Sequence, residues 1–599
     1  MALGAAADAA PAATLRQAAR HLLRLLLLAR PYWLRLGGGV LFALAATGVS
    51  AGIPWITKLL IDEVYADRDV GLLHVLVGVL LALGVSSSLL GALRALFTAA
   101  VRARLVADVR LRFFNHLQHL PMRFFDDHRV GEVGSRLQEA GGGVETVGRT
   151  FETVVTQGLF LLVVPPALFL LDARLAALAL VVVPLVALVT ALASRRLREL
   201  WQANSQANGE LAAFQVEVLS RIRTFKSFGL ERKVYTEARR QVAAATAAQL
   251  RAFAAAHWLG GATGALRGLN TALLTWVGWS LILGGSMTLG DYVAFTAYLG
   301  FLYGPVFILF QVYSDLQQSA VHLGRMFEYW DLEAEQDPRP ATAAAALPPA
   351  VGVGGAGGAR LRRVSFAYRP GNRVLSDLDL DLPAGTVTAV VGASGSGKTT
   401  LLRLLAGLER CDAGWLELGG RRADRLTLAE HRALTSAVWQ DGGLVRGSLW
   451  RNLTLAVDSR PSRHEVDRAV AICGLGAVVA GFADGYDGEV AEGGGTLSAG
   501  QQQRLALARA VLREAPLLLL DEATANLDVD TEMAVLGPLL ADCRRRGRTV
   551  VFVTHRPATA ALADRVASLD GGRVVAVEEA SGRRAAATPP PACAVGEGR

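Results

Sequence analysis

Six stretches of this chain carry no formal charge over the length of a bilayer crossing: Leu36–Thr57, Val70–Leu93, Thr153–Leu171, Leu175–Ala193, Gly268–Gly290 and Tyr292–Ser314. A membrane-spanning helix needs ~20 mainly apolar residues to cross a ~30 Å hydrocarbon core. One such run alone could be a buried core helix. Six in one half of a 599-residue chain predict a six-helix membrane domain. The composition agrees: 52% of residues are hydrophobic and 19% charged, against ~25% charged in soluble proteins. That excludes a disordered chain and a purely soluble enzyme.

The arginines set the orientation. Residues 101–136 hold Arg102, Arg104, Arg110, Arg112, Arg123, Arg129 and Arg136, and residues 195–240 hold ten basic side chains. The short connections at 62–69, 172–174 and 284–291 carry little or no basic excess. The positive-inside rule makes the two long basic connections and both termini cytoplasmic. No proline falls between Pro54 and Pro121 or between Pro184 and Pro305. One helix over residues 72–120 would therefore be roughly 70 Å long, with turns near Phe124–Gly134 and Phe214–Arg223. No cleavable signal peptide is expected; Leu22–Ala29, interrupted by Arg24 and followed by Pro31 and Trp33, reads as an interfacial helix.

Composition divides the rest. Small, Pro-rich and then Gly-rich residues make 335–358 a linker. The expected organisation is a disordered tail at 1–14, a membrane domain at 15–334, the linker, a soluble domain at 359–578 and a second tail at 579–599. In the soluble domain, short apolar runs alternate with helical stretches, as in an α/β fold with a mainly parallel sheet. The cysteines Cys411, Cys473, Cys543 and Cys593 show no metal-ligand spacing and read as reduced thiols.

Of 61 basic residues only Lys58, Lys226, Lys233 and Lys398 are lysines. Against that arginine background, Lys398 marks a place that needs a compact ammonium. It lies in Gly392-Ala393-Ser394-Gly395-Ser396-Gly397-Lys398-Thr399, after the apolar strand Val387–Val391 and before the helical run Thr400–Ala406. This is a phosphate-binding loop in its strand–loop–helix context. Backbone N–H groups and the helix dipole would hold phosphates, Lys398 would neutralise the β- and γ-phosphates, and the Thr399 hydroxyl would ligate Mg²⁺. A buried strand, Leu517–Leu520, ends at Asp521-Glu522. Asp521 suits a Mg²⁺-linked role, and Glu522 a base that orients or deprotonates water. Ser498 is placed to cap a helix over Gly500–Leu512, whose N-terminus favours anions.

Together these motifs resemble the ATP-binding cassette transporters, specifically half-size exporters with a six-helix membrane domain fused to one α/β phosphate-loop nucleotide-binding domain with a helical subdomain. The resemblance runs from about residue 20 to about residue 578. It implies that Tyr368 stacks on adenine and that Gln440 reaches Mg²⁺ and the attacking water. Gly392, Ser394, Gly395, Ser396, Gly397, Lys398, Thr399 and Thr400 would hold the phosphates. It gives Ser498, Gly500 and Gln501 to the signature loop that closes on the opposite subunit's ATP, and Asp528 to the loop that communicates across the dimer. Glu522 would be the catalytic glutamate and His555 the γ-phosphate switch. Glu492 matches a segment that touches coupling helices, and Phe124–Ser135 and Phe214–Lys226 the coupling regions. Ala499 departs from the commoner glycine of the signature.

The implied activity is ATP hydrolysis coupled to alternating access in a dimer, exporting an amphipathic small molecule or lipid. A homodimer is the simplest assembly; a heterodimer would look the same from one chain. The alternatives are a peptide or bacteriocin-type exporter without a peptidase domain, and an ATP-gated channel or regulator. Membrane lipids are expected partners; nucleic acid is not, because the basic charge flanks the membrane spans. Arginine and alanine richness point to a bacterial inner membrane.

Overall fold

The computed structural model describes residues 11–335 and 357–579, apart from 65, 66, 129, 370, 441, 458 and 459. The linker expected over 335–358 and the tails expected over 1–14 and 579–599 lie almost wholly outside the described residues. The chain divides into two compact units: one holds 1–117 and 131–332, and the other holds 118–130 and 333–599.

The first unit is helical. An amphipathic helix, Pro11–Leu28, precedes a short turn at Arg30–Tyr32 and the long helices Trp33–Leu59, Val70–Gln118, Val130–Leu171, Ala173–Ser220, Glu231–Leu283 and Leu289–Trp330. The 49-residue helix Val70–Gln118 runs without a break, as its lack of proline predicts. By length and composition, four segments can cross a membrane: Arg30–Val64, Val70–Gln118, Val130–Leu171 and Ala173–Ser220. The described apolar part of the last helix, Leu289–Leu302, is shorter. In Glu231–Leu283 the uncharged segment starts only at Gly268, and the rest carries charge. The turn expected near Phe214–Arg223 falls at the end of that range: the helix continues to Ser220, and the chain breaks at Arg221 and again after the short helix Ile222–Ser227. No glycine or proline lies between Phe214 and Ser220 to stop it earlier. Phe295, Leu302, Leu168 and Leu175 form the fully buried centre of one helix cluster.

Among the described residues the second unit has two main sheets and one two-stranded antiparallel ribbon, β7 (Gly447–Ser448) with β8 (Glu489–Val490). Strands β1 (Ala359–Arg369), β2 (Asn372–Leu382), β4 (Ala413–Leu418) and β5 (Arg421–Arg422) form an antiparallel sheet in the order β2-β1-β4-β5. The larger sheet uses β3 (Val387–Gly392), β6 (Thr435–Val438), β9 (Leu517–Asp521), β10 (Thr549–Val553), β11 (Arg565–Asp570) and β12 (Arg573–Glu579), ordered β12-β11-β3-β10-β9-β6. All its pairs are parallel except β11 with β12. Every residue of β9 and β10 is buried, which is why Leu-Leu-Leu-Leu and Val-Val-Phe-Val can run unalternated there. One face of this sheet packs on the antiparallel sheet and the helix Lys398–Leu405. The other packs on a helical layer containing Arg463–Ile472, Ala499–Arg513 and Val529–Arg545.

Candidate active site

The parallel registers decide which side chains meet. Val438 of β6 is level with Leu520 of β9, and Asp521 of β9 is level with Val553 of β10, which is level with Val390 of β3. Gln440, Glu522, His555 and Gly392 therefore all emerge at the carboxyl edge, where open α/β sheets bind ligands.

Beyond β3 the chain wraps around Lys398. Its ammonium donates to the carbonyl oxygens of Gly392 (2.9 Å) and Ala393 (2.8 Å). The side chain is only 6% exposed, so these bonds offset the desolvation of a buried charge. Gly397 sits at φ +100°, and a Cβ there would lie 2.6 Å from Leu375 Cδ2; only glycine fits. Ser394, Gly395 and Thr399 are exposed on the loop's outer side, while Ser396 and Thr400 are buried. The Ser396 Oγ has no hydrogen-bond partner among the described residues. Tyr368 of β1 stands edge-on to Phe366, 4.9 Å between centroids, and its Oη lies 3.2 Å from Thr400 Oγ1.

At the end of β9, the Thr399 hydroxyl donates to Asp521 Oδ1 at 3.3 Å. Burial pushes the Asp521 carboxyl above its ordinary range, and the Thr399 bond pulls it partly back. The next residue, Glu522, takes φ +48°, a left-handed conformation that costs a non-glycine residue roughly 1 kcal/mol. The turn brings its Oε1 to 2.5 Å from His555 Nε2.

The donor set of Thr399 hydroxyl, Asp521 carboxylate and Gln440 amide is hard oxygen and fits Mg²⁺ rather than a softer ion. Among the described residues no group of three His, Cys, Asp or Glu side chains could hold a metal by itself. Such a cation would complete its shell with phosphate oxygens and water, as Mg²⁺ commonly does.

Ser498 caps the helix Ala499–Arg513: its hydroxyl accepts from Gln501 N at 3.3 Å, and Gln501 Oε1 accepts from Ser498 N at 2.9 Å. Gly500 packs so closely that a Cβ would come 2.8 Å from Leu527 Cδ2. Asp528 caps the helix Val529–Arg545 through Thr531 N at 2.9 Å, and that bond holds its carboxyl below the usual range. Among the described residues, no hydrogen bond joins Ser498, Gln501 or Asp528 to Lys398, Thr399 or Glu522 of the same chain.

Two groups were not singled out from sequence. Gln503, 1% exposed, accepts from Asn526 N at 3.1 Å and donates to Gln440 O at 3.4 Å, joining the turn after β6 to the loop after β9. Glu532, 2% exposed, accepts from Arg556 Nη1 at 2.5 Å and Thr524 Oγ1 at 2.7 Å, clamping the segments that follow Glu522 and His555.

Comparison with known proteins agrees with this geometry. Residues 36–306 match the model of the ABC transporter transmembrane region, and residues 375–525 match the ABC transporter model. The chain is 30% identical over 542 residues to the cyclolysin secretion/processing ATP-binding protein of Bordetella pertussis, covering 90% of this chain and 74% of that one. It is 31% identical over 497 residues to the ATP-dependent lipid A-core flippase of Pseudomonas fluorescens, covering 80% and 78%. A bacterial Atm1-family ABC exporter with ATP bound has the same fold, with a TM-score of 0.75 and 25% identity over 93% of this chain and 97% of that one. With a helical transmembrane domain and an ATP-binding cassette in one multi-pass chain, this protein belongs to the ABC transporter family, as a half-size exporter that couples ATP hydrolysis to export.

Proposed function

We propose that the exported substrate is an amphipathic small molecule or lipid, moved by a homodimer in a bacterial inner membrane with the cassette in the cytoplasm. Six helices would span, with the domains at 15–334 and 359–578. The 2.5 Å contact between Glu522 and His555, beside the Thr399–Asp521 pair, carries the catalytic reading. Bound Mg²⁺ would supply charge neutralisation on the β- and γ-phosphates, held by Thr399 and, through its shell, by Asp521 and Gln440.

In this reading Tyr368 stacks on the adenine. The N–H groups of Gly392 to Thr400 bind the phosphate oxygens, and Lys398 exchanges its two loop carbonyls for the γ-phosphate. Glu522 accepts a proton from, or orients, the attacking water. His555 leaves Glu522 for the γ-phosphate, and that movement distinguishes the ATP state from the ADP state. Ser498, Gly500 and Gln501 sit at a helix N-terminus free to receive the partner subunit's ATP, and Asp528 lies on the loop facing the same junction.

ATP turnover in lipid nanodiscs tests the reading. Wild type should hydrolyse ATP, and Glu522→Gln should lose turnover by 100-fold or more while still binding nucleotide. ATP binding without turnover in wild type would refute self-sufficiency and call for a second, different half. Uphill accumulation in sealed vesicles separates a pump from an ATP-gated channel, which cannot build a gradient. A peptide exporter is the second reading, favoured by the 30% identity to the cyclolysin secretion protein. It predicts ATPase stimulation by peptides rather than by lipids or hydrophobic drugs.

A further inference from the structure

The residue after His555 reaches back into the loop that follows β9. Arg556 Nη1 carries two hydrogens, and each has its own acceptor: Glu532 Oε2 at 2.5 Å and the Leu527 carbonyl oxygen at 3.0 Å. Thr524 Oγ1 donates to the other Glu532 oxygen at 2.7 Å. The Glu532 side chain is 3% exposed. A buried carboxylate is tolerated there because both oxygens are bonded and one partner is a cation. With the Glu522–His555 contact, these bonds close a ring. It runs along the chain from Glu522 to Thr524, through Glu532 to Arg556, and back through His555 to Glu522.

The turn inside this ring is stiff. Ala525 N donates to Glu522 O and Leu527 N to Thr524 O, both at 3.0 Å, and Glu532 N donates to Asp528 O at 2.9 Å. Residues 522–528 therefore move as a block with the start of the helix Val529–Arg545. The outer side of the block is open, with Asn526 and Asp528 exposed, while Leu527 is buried beneath them. The bond from Arg556 to the Leu527 carbonyl is charge-assisted, the stronger kind. It lands one residue before Asp528. His555 and Arg556 share one planar peptide, so a displacement of the His555 backbone carries the Arg556 backbone with it.

We propose that Arg556 is a positioning residue for ATP hydrolysis. Held by Glu532, it sets the Leu527–Asp528 turn according to whether His555 engages the γ-phosphate. One ATP site thereby reports its state to the face that meets the partner subunit. The proposal rests on the reading of His555 as the phosphate switch and of Asp528 as facing that junction. Arg556 acts through the turn and not on the nucleotide, so its loss lowers kcat and leaves KM for ATP in place.

The test uses the full chain in lipid nanodiscs. Arg556→Met alone strands the buried Glu532 carboxylate without a cation and lowers the stability of the cassette. Combining it with Glu532→Gln removes that charge and keeps an amide oxygen for Thr524, so the double variant should melt close to wild type. Its kcat should nonetheless be about tenfold below wild type, with KM for ATP within about twofold. A purely structural role predicts the opposite, turnover returning with stability. Amide hydrogen exchange over residues 523–531 gives a second readout. Wild type should exchange about tenfold more slowly with Mg²⁺ and adenylyl imidodiphosphate than with Mg²⁺ and ADP, and the double variant should lose that difference. Wild-type turnover in the folded double variant, or an exchange difference that survives in it, would overturn the proposal. A wild type that does not hydrolyse ATP would overturn the functional reading itself and the proposal with it. Full turnover in both proteins would remove only the role given to Arg556.

Discussion

Gln503 offers the sharpest test of how the nucleotide site is held together. Replacing it with methionine keeps length and volume, so the core around the helix Ala499–Arg513 stays filled. Two hydrogen bonds disappear. The one to Gln440 O is 3.4 Å long and contributes little. The one from Asn526 N is 3.1 Å, and an orphaned buried N–H costs ~1–3 kcal/mol. Asn526 is itself exposed, so water can partly replace the amide, and about 1 kcal/mol is the appropriate figure. If that energy is needed to align Gln440 with the loop beyond Glu522 in the transition state, turnover falls by about fivefold. ATP turnover in nanodiscs, with ATP affinity and thermal unfolding measured on the same sample, reads this out. A Gln503→Met protein with wild-type turnover, or one whose turnover falls only with its folded fraction, would refute the argument.

Four further outcomes are expected. Gly397→Ala must place a Cβ 2.6 Å from Leu375 at φ +100°, so binding of a fluorescent ATP analogue should fall at least tenfold. Asp521→Asn should raise the melting temperature of the nucleotide-free protein near neutral pH and abolish turnover. Burial raises the folded carboxyl's pKa, so its stabilising contribution is lost as pH rises through that value, and asparagine never ionises. Glu409, 5% exposed at its side chain, pairs with Arg123 at 2.9 Å, and burial raises its carboxyl too. Arg123→Ala should therefore cost more stability at about pH 8 than at about pH 5, seen in unfolding at both. Asp126 and Arg403 pair at 2.6 Å while partly exposed. Asp126→Arg and Arg403→Asp should each weaken substrate-stimulated turnover, and the reciprocal double variant should recover about 1 kcal/mol of coupling.

What the sequence revealed followed from local chemistry. The uncharged runs made the membrane unit legible, and an unbroken Val70–Gln118 followed from the absence of proline. Lys398 stood out because arginine fills nearly every other basic position. Contacts set by sheet register were not legible. Glu522 and His555 are 33 residues apart and meet only because β9 and β10 pair in parallel with Asp521 level with Val553. Gln503 is the last of three consecutive glutamines, and only its helical phase turns it inward. The chain break at Arg221 lies within the expected range, but its exact residue was not legible because Phe214–Ser220 contains ordinary helix formers and its end depends on residues beyond it.

The segment Gln118–Val130 shows why this division matters for function. It joins the helices Val70–Gln118 and Val130–Leu171, yet it groups by contact with the cassette. Its six-residue helix, Met122–Asp127, points Arg123 at Glu409 and Asp126 at Arg403, and Arg123 also lies over the Phe366 ring at 4.9 Å. Arg403 belongs to the helix that begins at Lys398. The group that answers to phosphate and the group that grips the connecting segment are thus about one and a half turns apart on one rigid element. A rigid helix cannot shift at one end only, so a movement of the phosphate loop is also a movement of Arg403. Sequence supplies both ends of that lever, but Arg403 and Asp126 are 277 positions apart, and only the folded cassette joins them.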